Sequence, residues 1–256
     1  MSDPQWELYD TTKDWTQAKN LAAQMPEKLH ELQRLWLIQA ARHNALPLDD
    51  RGEERADPDR AGRPTLIKGN AQVLFRGMGR LGESCVVNIK CKSHNVSAEI
   101  VVPEGGAEGV IVAQGGICGG WSFYAKGGKL KYCYNLLGIQ RFYTEGATVL
   151  TPGEHKVRME FAYEGGGPAK GGKISLYLDD KKDGEGAVPV TESVLFSADD
   201  TCDVGVDAGS PISEDCGSRG NAFNGDLRGV LIEAGDDSYT HMIDPEQVVH
   251  MLLARQ

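Results

Sequence analysis

Trp121-Ser122-Phe123-Tyr124-Ala125-Lys126-Gly127-Gly128-Lys129-Leu130-Lys131-Tyr132-Cys133-Tyr134-Asn135 is the stretch on which the fold turns. Two alternating runs, Trp121–Ala125 and Leu130–Asn135, flank a Gly-Gly pair. Such a pair suits a tight hairpin, because glycine reaches positive φ without a Cβ clash. The same pattern repeats outward. Candidate strands lie at Thr65–Lys68, Gln72–Arg76, Val86–Lys92, Ser97–Val102, Gly109–Gln114, His155–Tyr163, Ile174–Asp179, Asp203–Val206 and Leu227–Glu233. Turn chemistry sits between them at Gly165-Gly166-Gly167-Pro168 and at Asp180-Lys181-Lys182-Asp183-Gly184. This spacing predicts a mostly β domain over residues 65–235, an antiparallel β-sandwich. The chain has 32 glycines, and Gly52 and Gly62 are the two that precede residue 65. The glycine excess therefore reads as a count of turns, not as a phosphate loop.

The two ends read differently. Trp6-Glu7-Leu8-Tyr9 alternates weakly, as a short strand would, and Asp14 is placed to cap a short helix from Trp15 to Leu21. Pro26 and Glu27 then suit the first turn of a longer helix. Leu29, Leu32, Leu35, Trp36 and Ala40 recur at helical spacing, which predicts an amphipathic helix ending near Asn44. Residues 51–64 are charged and turn-prone and form a linker. At the other end, Asp244-Pro245-Glu246-Gln247 is a helix start, followed by Val248, Val249, Leu252 and Leu253 as an apolar stripe. The expected organisation is a strand-plus-helix segment over 1–50, the linker 51–64, the sandwich 65–235 and a closing helix within 236–256.

Charge and motifs exclude several classes. The 256 residues carry 27 Lys+Arg and 37 Asp+Glu, a net charge of −10, with 3 basic and 12 acidic residues beyond position 198. A nucleic-acid binder needs a basic face, so this balance argues against one. No run approaches the roughly 18–20 apolar residues that span a bilayer, and residues 1–7 lack a signal-peptide pattern. A soluble, cytoplasmic, non-membrane chain is the expectation. The six cysteines form no C-x-x-C pair, so zinc is unsupported, and a Cys202–Cys216 disulfide stays open. The six histidines do not cluster at ligand spacing, and no hydrolase or nucleotide-binding motif is present. Glu99 and Glu160 would be a glycosidase pair if they met across a sheet face, but a solvent-facing glutamate is the default. Asp199, Asp200, Asp203, Asp207, Glu214, Asp215 and Asp226 concentrate oxygen ligands in a glycine-containing loop, a pattern that suits calcium but lacks EF-hand spacing. Trp121, Phe123, Tyr132 and Tyr134 would be a stacking platform for sugar if exposed; packing between two sheets is the favoured reading.

Trp6-Glu7-Leu8-Tyr9-Asp10, Asn20-Leu21-Ala22, Pro26 to Leu32, and Leu46-Pro47-Leu48-Asp49-Asp50-Arg51 follow one another along the N-terminal residues. In that order and spacing they resemble the end of a bacterial arylsulfatase. Further on, Glu104 to Val110, Gln114-Gly115-Gly116, Gly119 to Ser122, Tyr134 to Gly138, Pro152 to His155 and Asp203 to Pro211 are similar to the lectin-like, concanavalin or jelly-roll extension of long arylsulfatases. The resemblance implies that residues 1–50 are a remnant of the sulfatase C-terminal subdomain. It also implies a parent that hydrolyses sulfate esters with a formylglycine made from C-x-P-S-R or C-x-A-S-R and with calcium held by aspartates. Neither carries over: Cys216-Gly217-Ser218-Arg219 has the wrong residues and spacing, and Asp49-Asp50 belongs to the exit motif. The expectation is a non-catalytic C-terminal fragment, with no cofactor of its own. Its partner would be the missing catalytic domain, in cis or in trans. The alternative is a free-standing carbohydrate-binding module using Trp121, Tyr134, Asp203 and Asp207.

Overall fold

Residues that alternate in hydropathy also alternate in burial, and the computed structural model pairs them into strands. It describes residues 6–43, 45–46, 48, 67 and 69–236. The linker 51–64, all but Ile67 of the candidate strand 65–68, and residues 237–256 of the expected closing helix lie outside them. The chain divides into two compact units, residues 1–52 and 53–256.

In the second unit the described residues form β1 (Ala71–Leu74), β2 (His94–Val102), β3 (Gly109–Gly116), β4 (Gly119–Lys126), β5 (Lys129–Leu136), β6 (Gln140–Val149), β7 (Gly153–Tyr163), β8 (Gly172–Leu178), β9 (Lys181–Val188), β10 (Cys202–Val204) and β11 (Asp226–Ala234). They build a six-stranded sheet in the order β1-β11-β2-β7-β8-β9 and a five-stranded sheet in the order β10-β3-β4-β5-β6. All pairings between these strands are antiparallel. The fold is thus a jelly-roll-like antiparallel β-sandwich. The β4–β5 hairpin closes at Lys126 opposite Lys129, with Gly127 and Gly128 at φ 60° and 73°, the conformation a two-residue hairpin loop requires. Its inward row, Trp121, Phe123, Leu130 and Tyr132, is buried against Val96, Ala98 and Ile100 of β2 and Val157 and Met159 of β7.

Two sequence expectations change in this unit, and one open question closes. Val86–Lys92 is not a strand; a 3-10 turn at Glu83–Cys85 leads into irregular backbone. Val86, Val87 and Ile89 are nevertheless buried, because this segment caps the core instead of pairing in a sheet. Gln72 holds it, its Nε2 donating to the Cys85 carbonyl and its Oε1 accepting from the Val87 N–H, both at 3.0 Å. A buried Lys90–Glu83 ion pair adds to this, with the ammonium 5.0 Å from the Phe196 ring centre. Next, β6 and β9 were not anticipated. The β8–β9 turn falls at Asp179 and Asp180 (φ 48° and 63°), not at residues 180–184. Gly184 and Gly186 serve close approach: a Cβ on Gly184 would lie 2.5 Å from the Glu145 carbonyl oxygen, and one on Gly186 would lie 2.2 Å from Thr144 Oγ1. Edge strands β6 and β9 meet there, and Asp183 Oδ1 accepts the Thr148 N–H at 3.0 Å. Finally, all six cysteines are free thiols. Cys202 packs between the sheets and Cys216 in a separate cluster, so the disulfide is not formed.

That separate cluster lies on the outer side of the five-stranded sheet. Ile212 and Cys216, from the segment between β10 and β11, pack with Val110, Ala113, Tyr124 and Cys133. Polar contacts fasten the segment down: Arg141 Nε donates to the Ile212 carbonyl at 2.8 Å, and the Tyr124 hydroxyl donates to Asp215 at 2.6 Å.

In the first unit, α1 (Pro26–Arg42) begins with its proline and carries Glu27 in the first turn. The expected helix from Trp15 to Leu21 does not form, because Gln17 adopts φ 58° and interrupts it. Asp14 instead accepts the Ala18 and Lys19 N–H groups at 3.2 and 2.7 Å and closes a turn. Trp6–Tyr9 is not a strand either. The Leu8 N–H donates to Asn20 Oδ1 and its carbonyl accepts the Leu21 N–H, at 3.1 and 2.7 Å. Ala40 is the buried residue of α1, while Leu35, Leu37 and Ile38 are 50%, 53% and 61% exposed.

Gly184→Ala is expected to cost roughly 1–3 kcal/mol of unfolding free energy, because its methyl meets backbone. Gly105→Ala, where a Cβ meets nothing within 4 Å, is the reference. Urea unfolding of both variants checks this, and equal losses would refute the close-approach role.

Candidate functional site

The pleat that turns Val96, Ala98 and Ile100 inward turns Asn95, Ser97 and Glu99 outward on the six-stranded sheet. Across the sheet, Leu231, Ser97, Arg158 and Tyr177 form one register row; Glu233, Asn95, Glu160 and Ser175 form a second. A third row sets Gly229 opposite Glu99, and Glu99 opposite Lys156. The β11 register shifts between Leu227 and Gly229, so Arg228 is the extra residue of a bulge, a device that re-aims a side chain. Gly229 contributes no side chain to its row, and the sheet surface dips there. The result is a groove of about 450 Å³ lined by Asn95, Ser97, Glu99, Lys156, Arg158, Arg228, Gly229 and Glu233, among others. A smaller hollow of about 230 Å³ shares Glu99, Lys156 and Arg228 and reaches His155 and Asp179.

The groove carries mixed charge. Arg228 pairs with Glu154, and Lys156 Nζ lies 3.9 Å from Asp180. The Arg158 guanidinium lies over the Tyr177 ring, 4.4 Å from its centre. Its Nε is 3.2 Å from Glu160 Oε1, close enough for an ion pair but off the line of a hydrogen bond. Buried Asn95 Oδ1 likewise has no hydrogen-bond partner among the described residues. Buried polar atoms ordinarily find partners, so these two are unusual, and both lie beneath the groove surface, sealed from solvent.

The sequence candidates lie elsewhere. Trp121 is fully buried, its ring stacked near Tyr132 and its Nε1 donating to Gln114 Oε1 at 3.1 Å. Tyr134 is buried beside Phe196, its hydroxyl accepting the Glu192 N–H at 2.7 Å. Neither ring has an open face, so the stacking platform is replaced by core packing. Asp203 and Asp207, each 2% exposed, act as loop staples. Asp203 accepts the Arg80 N–H at 2.7 Å, and Asp207 Oδ2 accepts the Ile212 N–H at 3.1 Å. Asp200 similarly accepts the Ser210 N–H and hydroxyl. Among the described residues no three of His, Cys, Asp or Glu come together to hold a metal ion, so the acidic pattern of residues 199–226 is not gathered into a ligand set. Glu99 and Glu160 share a face but sit four residues apart in register, roughly 13 Å along the strands. Glycosidase carboxylates stand about 5–9.5 Å apart. Of the family-motif residues, Trp6 packs edge-on against Trp36, the Glu7 carboxylate accepts the Tyr9 hydroxyl, and Leu8 is tied to Asn20. Leu48 is exposed, and Asp49, Asp50 and Arg51 lie outside the described residues.

The groove residues Asn95, Ser97, Lys156, Arg158 and Arg228 were missed. Alternation within His94–Val102 marks the outward set of one strand; it does not say which strands flank it or where a bulge falls.

No protein-family model and no curated protein matches this chain. Among solved structures, the Ruminococcus gnavus IT-sialidase CBM40 bound to α2,3-sialyllactose is similar to it over 74% of this chain and 99% of that one, at 10% identity and TM-score 0.43. Domains LG4-5 of the mouse laminin α1 chain are similar over 71% of this chain, at 14% identity and TM-score 0.39. This chain spans 42% of that laminin fragment. The native heptameric SAP-like pentraxin of Limulus polyphemus is similar over 73% of this chain and 83% of its own, at 13% identity and TM-score 0.34.

Asp207 yields a pH prediction. Burial, with Asp203 and Asp200 nearby, pushes its carboxyl up to about 6 from an ordinary 3.8. On raising the pH, the unfolded chain ionises first, so the penalty on the fold grows between about pH 4 and pH 6 and is constant above that range. Asp207→Asn removes the penalty. It is expected to stabilise the protein by roughly 2–3 kcal/mol at neutral pH and by little near pH 4. Chemical unfolding at the two pH values measures the gap, and a gap that does not widen would count against this account.

Proposed function

We propose that this chain is a non-catalytic accessory part of an arylsulfatase-type sulfuric ester hydrolase, in which a β-sandwich follows the closing residues of the catalytic fold. The motif order over residues 6–51 supports this reading. The observation that carries it is the apolar surface of α1, where Leu32, Leu35 and Ile38, three residues apart along one side of the helix, are all exposed. Covering one such side chain fully is worth roughly 1.5–3 kcal/mol, so a helix with three of them uncovered on one side is suited to meet a neighbour. The neighbour in this reading is the catalytic domain, in cis or in trans, which would supply the formylglycine and the calcium.

The groove over β2, β7 and β11 favours a second reading, a carbohydrate-binding module. Its amide, hydroxyl, carboxylate and guanidinium groups offer donors and acceptors side by side, which polyhydroxylated ligands use.

Co-expression with a sulfatase catalytic domain that lacks its own C-terminal part tests the first reading. The full chain is expected to co-purify with that domain, and Leu35→Asp is expected to abolish association while leaving the unfolding transition of the sandwich in place. The purified chain alone is expected to show no aryl sulfate hydrolysis above a blank. Absence of association, or chelator-sensitive turnover by the pure chain, would overturn the proposal.

A further inference from the structure

We propose that the turns at one end of the five-stranded sheet form an apolar tip that docks on a lipid bilayer surface, one made of zwitterionic headgroups. The proposal rests on neither functional reading. Ile117 and Cys118 make the turn between β3 and β4, and Leu137, Gly138 and Ile139 make the turn between β5 and β6. The two turns touch: a Cβ on Gly138 would lie 2.7 Å from the Ile117 carbonyl oxygen. Turns ordinarily carry glycine, proline, asparagine, aspartate or serine, which suit both the backbone and water. Here Ile117, Leu137 and Ile139 are 53%, 37% and 81% exposed. Leu137 even holds a left-handed φ of 55°, a conformation that glycine or asparagine takes more readily.

Polar groups behind the tip hold it stiffly. Asn135, without solvent exposure, donates through Nδ2 to the Gly116 and Ile117 carbonyls at 2.8 and 3.0 Å and accepts the Gly138 N–H at 3.1 Å. Ser210 Oγ accepts the Ile117 N–H at 2.8 Å, and Glu192 accepts the Leu137 N–H at 2.9 Å. The Leu136 carbonyl accepts the Ile139 N–H at 2.9 Å. The amides of Ile117, Leu137, Gly138 and Ile139 are thus all satisfied from within the protein. Lipid offers no such partners, so backbone that enters it must bring its own. Preorganisation of this kind also removes part of the ordering cost of binding.

Charge and size select the occupant. Gly109–Ala125 and Tyr132–Gln140 contain no Asp, Glu, Lys or Arg, so the tip enters an apolar medium without burying a charge of its own. Two acids lie behind it, Glu192 and Asp200, the latter accepting the Ser210 hydroxyl, and no tip residue is basic. Anionic lipid therefore finds nothing there to attract it. Three aliphatic side chains fall short of the roughly 800 Å² per partner that a standard protein interface buries. A lipid surface sets no such footprint, because attachment scales with the apolar area inserted, and it needs no spanning segment.

The test is sedimentation of the full chain with phosphatidylcholine vesicles. An environment-sensitive maleimide dye on Cys118, the one of the six thiols that is exposed, gives a second readout. The chain is expected to sediment with the vesicles, and the dye emission to move to shorter wavelength. Ile139→Asp and Ile117→Asp are each expected to weaken partitioning about tenfold or more, with thermal unfolding unchanged because both side chains face solvent. Leu35→Asp, which alters the exposed surface of α1, is expected to leave partitioning as it is. Adding phosphatidylserine is expected to bring no gain. Sedimentation that survives both tip substitutions, falls equally in Leu35→Asp, or leaves the dye unshifted would overturn the assignment to the tip. A gain of about tenfold with phosphatidylserine would overturn the zwitterionic headgroup. No sedimentation with phosphatidylcholine would overturn the proposal, and a dimer on gel filtration that Ile139→Asp abolishes would then give the tip to a second copy of the chain.

Discussion

The contact between the two sheets is the constraint on which the rest of this protein depends. Trp121, Phe123 and Tyr132 lie with Met159 and Ile174 in one inter-sheet core, all essentially without solvent exposure. Strand side chains alternate, so each residue committed inward commits its neighbours outward. Burying Val96, Ala98 and Ile100 is what places Asn95, Ser97 and Glu99 on the open surface. A register slip by one residue would exchange the two sets, and the loss of apolar burial prevents it. The candidate site is therefore a by-product of core packing, refined by the Arg228 bulge and by the missing side chain at Gly229.

The two outer faces have different fates. A long segment between β10 and β11 covers the five-stranded sheet and brings its own small apolar cluster, centred on Tyr124, Cys133, Ile212 and Cys216. Its acidic residues are largely spent on holding that segment in shape. Asp200, Asp203 and Asp207 accept backbone N–H groups, satisfying donors that a loop cannot pair in a ladder. The concentration of acid in residues 199–226 thus has a structural cause. The six-stranded sheet leaves the rows around Ser97 and Arg158 open, and the groove lies there.

Glycine plays two physical parts that composition alone does not separate. Gly127 and Gly128 supply positive φ in a hairpin, the part their sequence neighbours announce. Gly184 and Gly186 remove bulk where β6 and β9 approach, and inside Lys181–Val188 they make a strand resemble a turn. Val86–Lys92 errs in the opposite direction, having the apolar content of a strand while acting as a plug on the core. In both cases the deciding contact comes from residues distant in sequence, Thr144 and Glu145 for the first and Gln72 and Phe196 for the second.

The sandwich, the β4–β5 hairpin and the α1 helix were legible in the sequence, because alternation, turn glycines and helical periodicity are local signals. Tertiary structure alone decided which strands are neighbours, that Trp121 and Tyr134 are sealed from any sugar, and that Arg158 lies over Tyr177 beside Ser97. Those outcomes depend on pairings between segments tens of residues apart, and on a one-residue bulge at Arg228 that leaves no mark in hydropathy. The helix α1 shows the same division: its apolar stripe was legible as a pattern, and the extent of its exposure is a property of the folded chain.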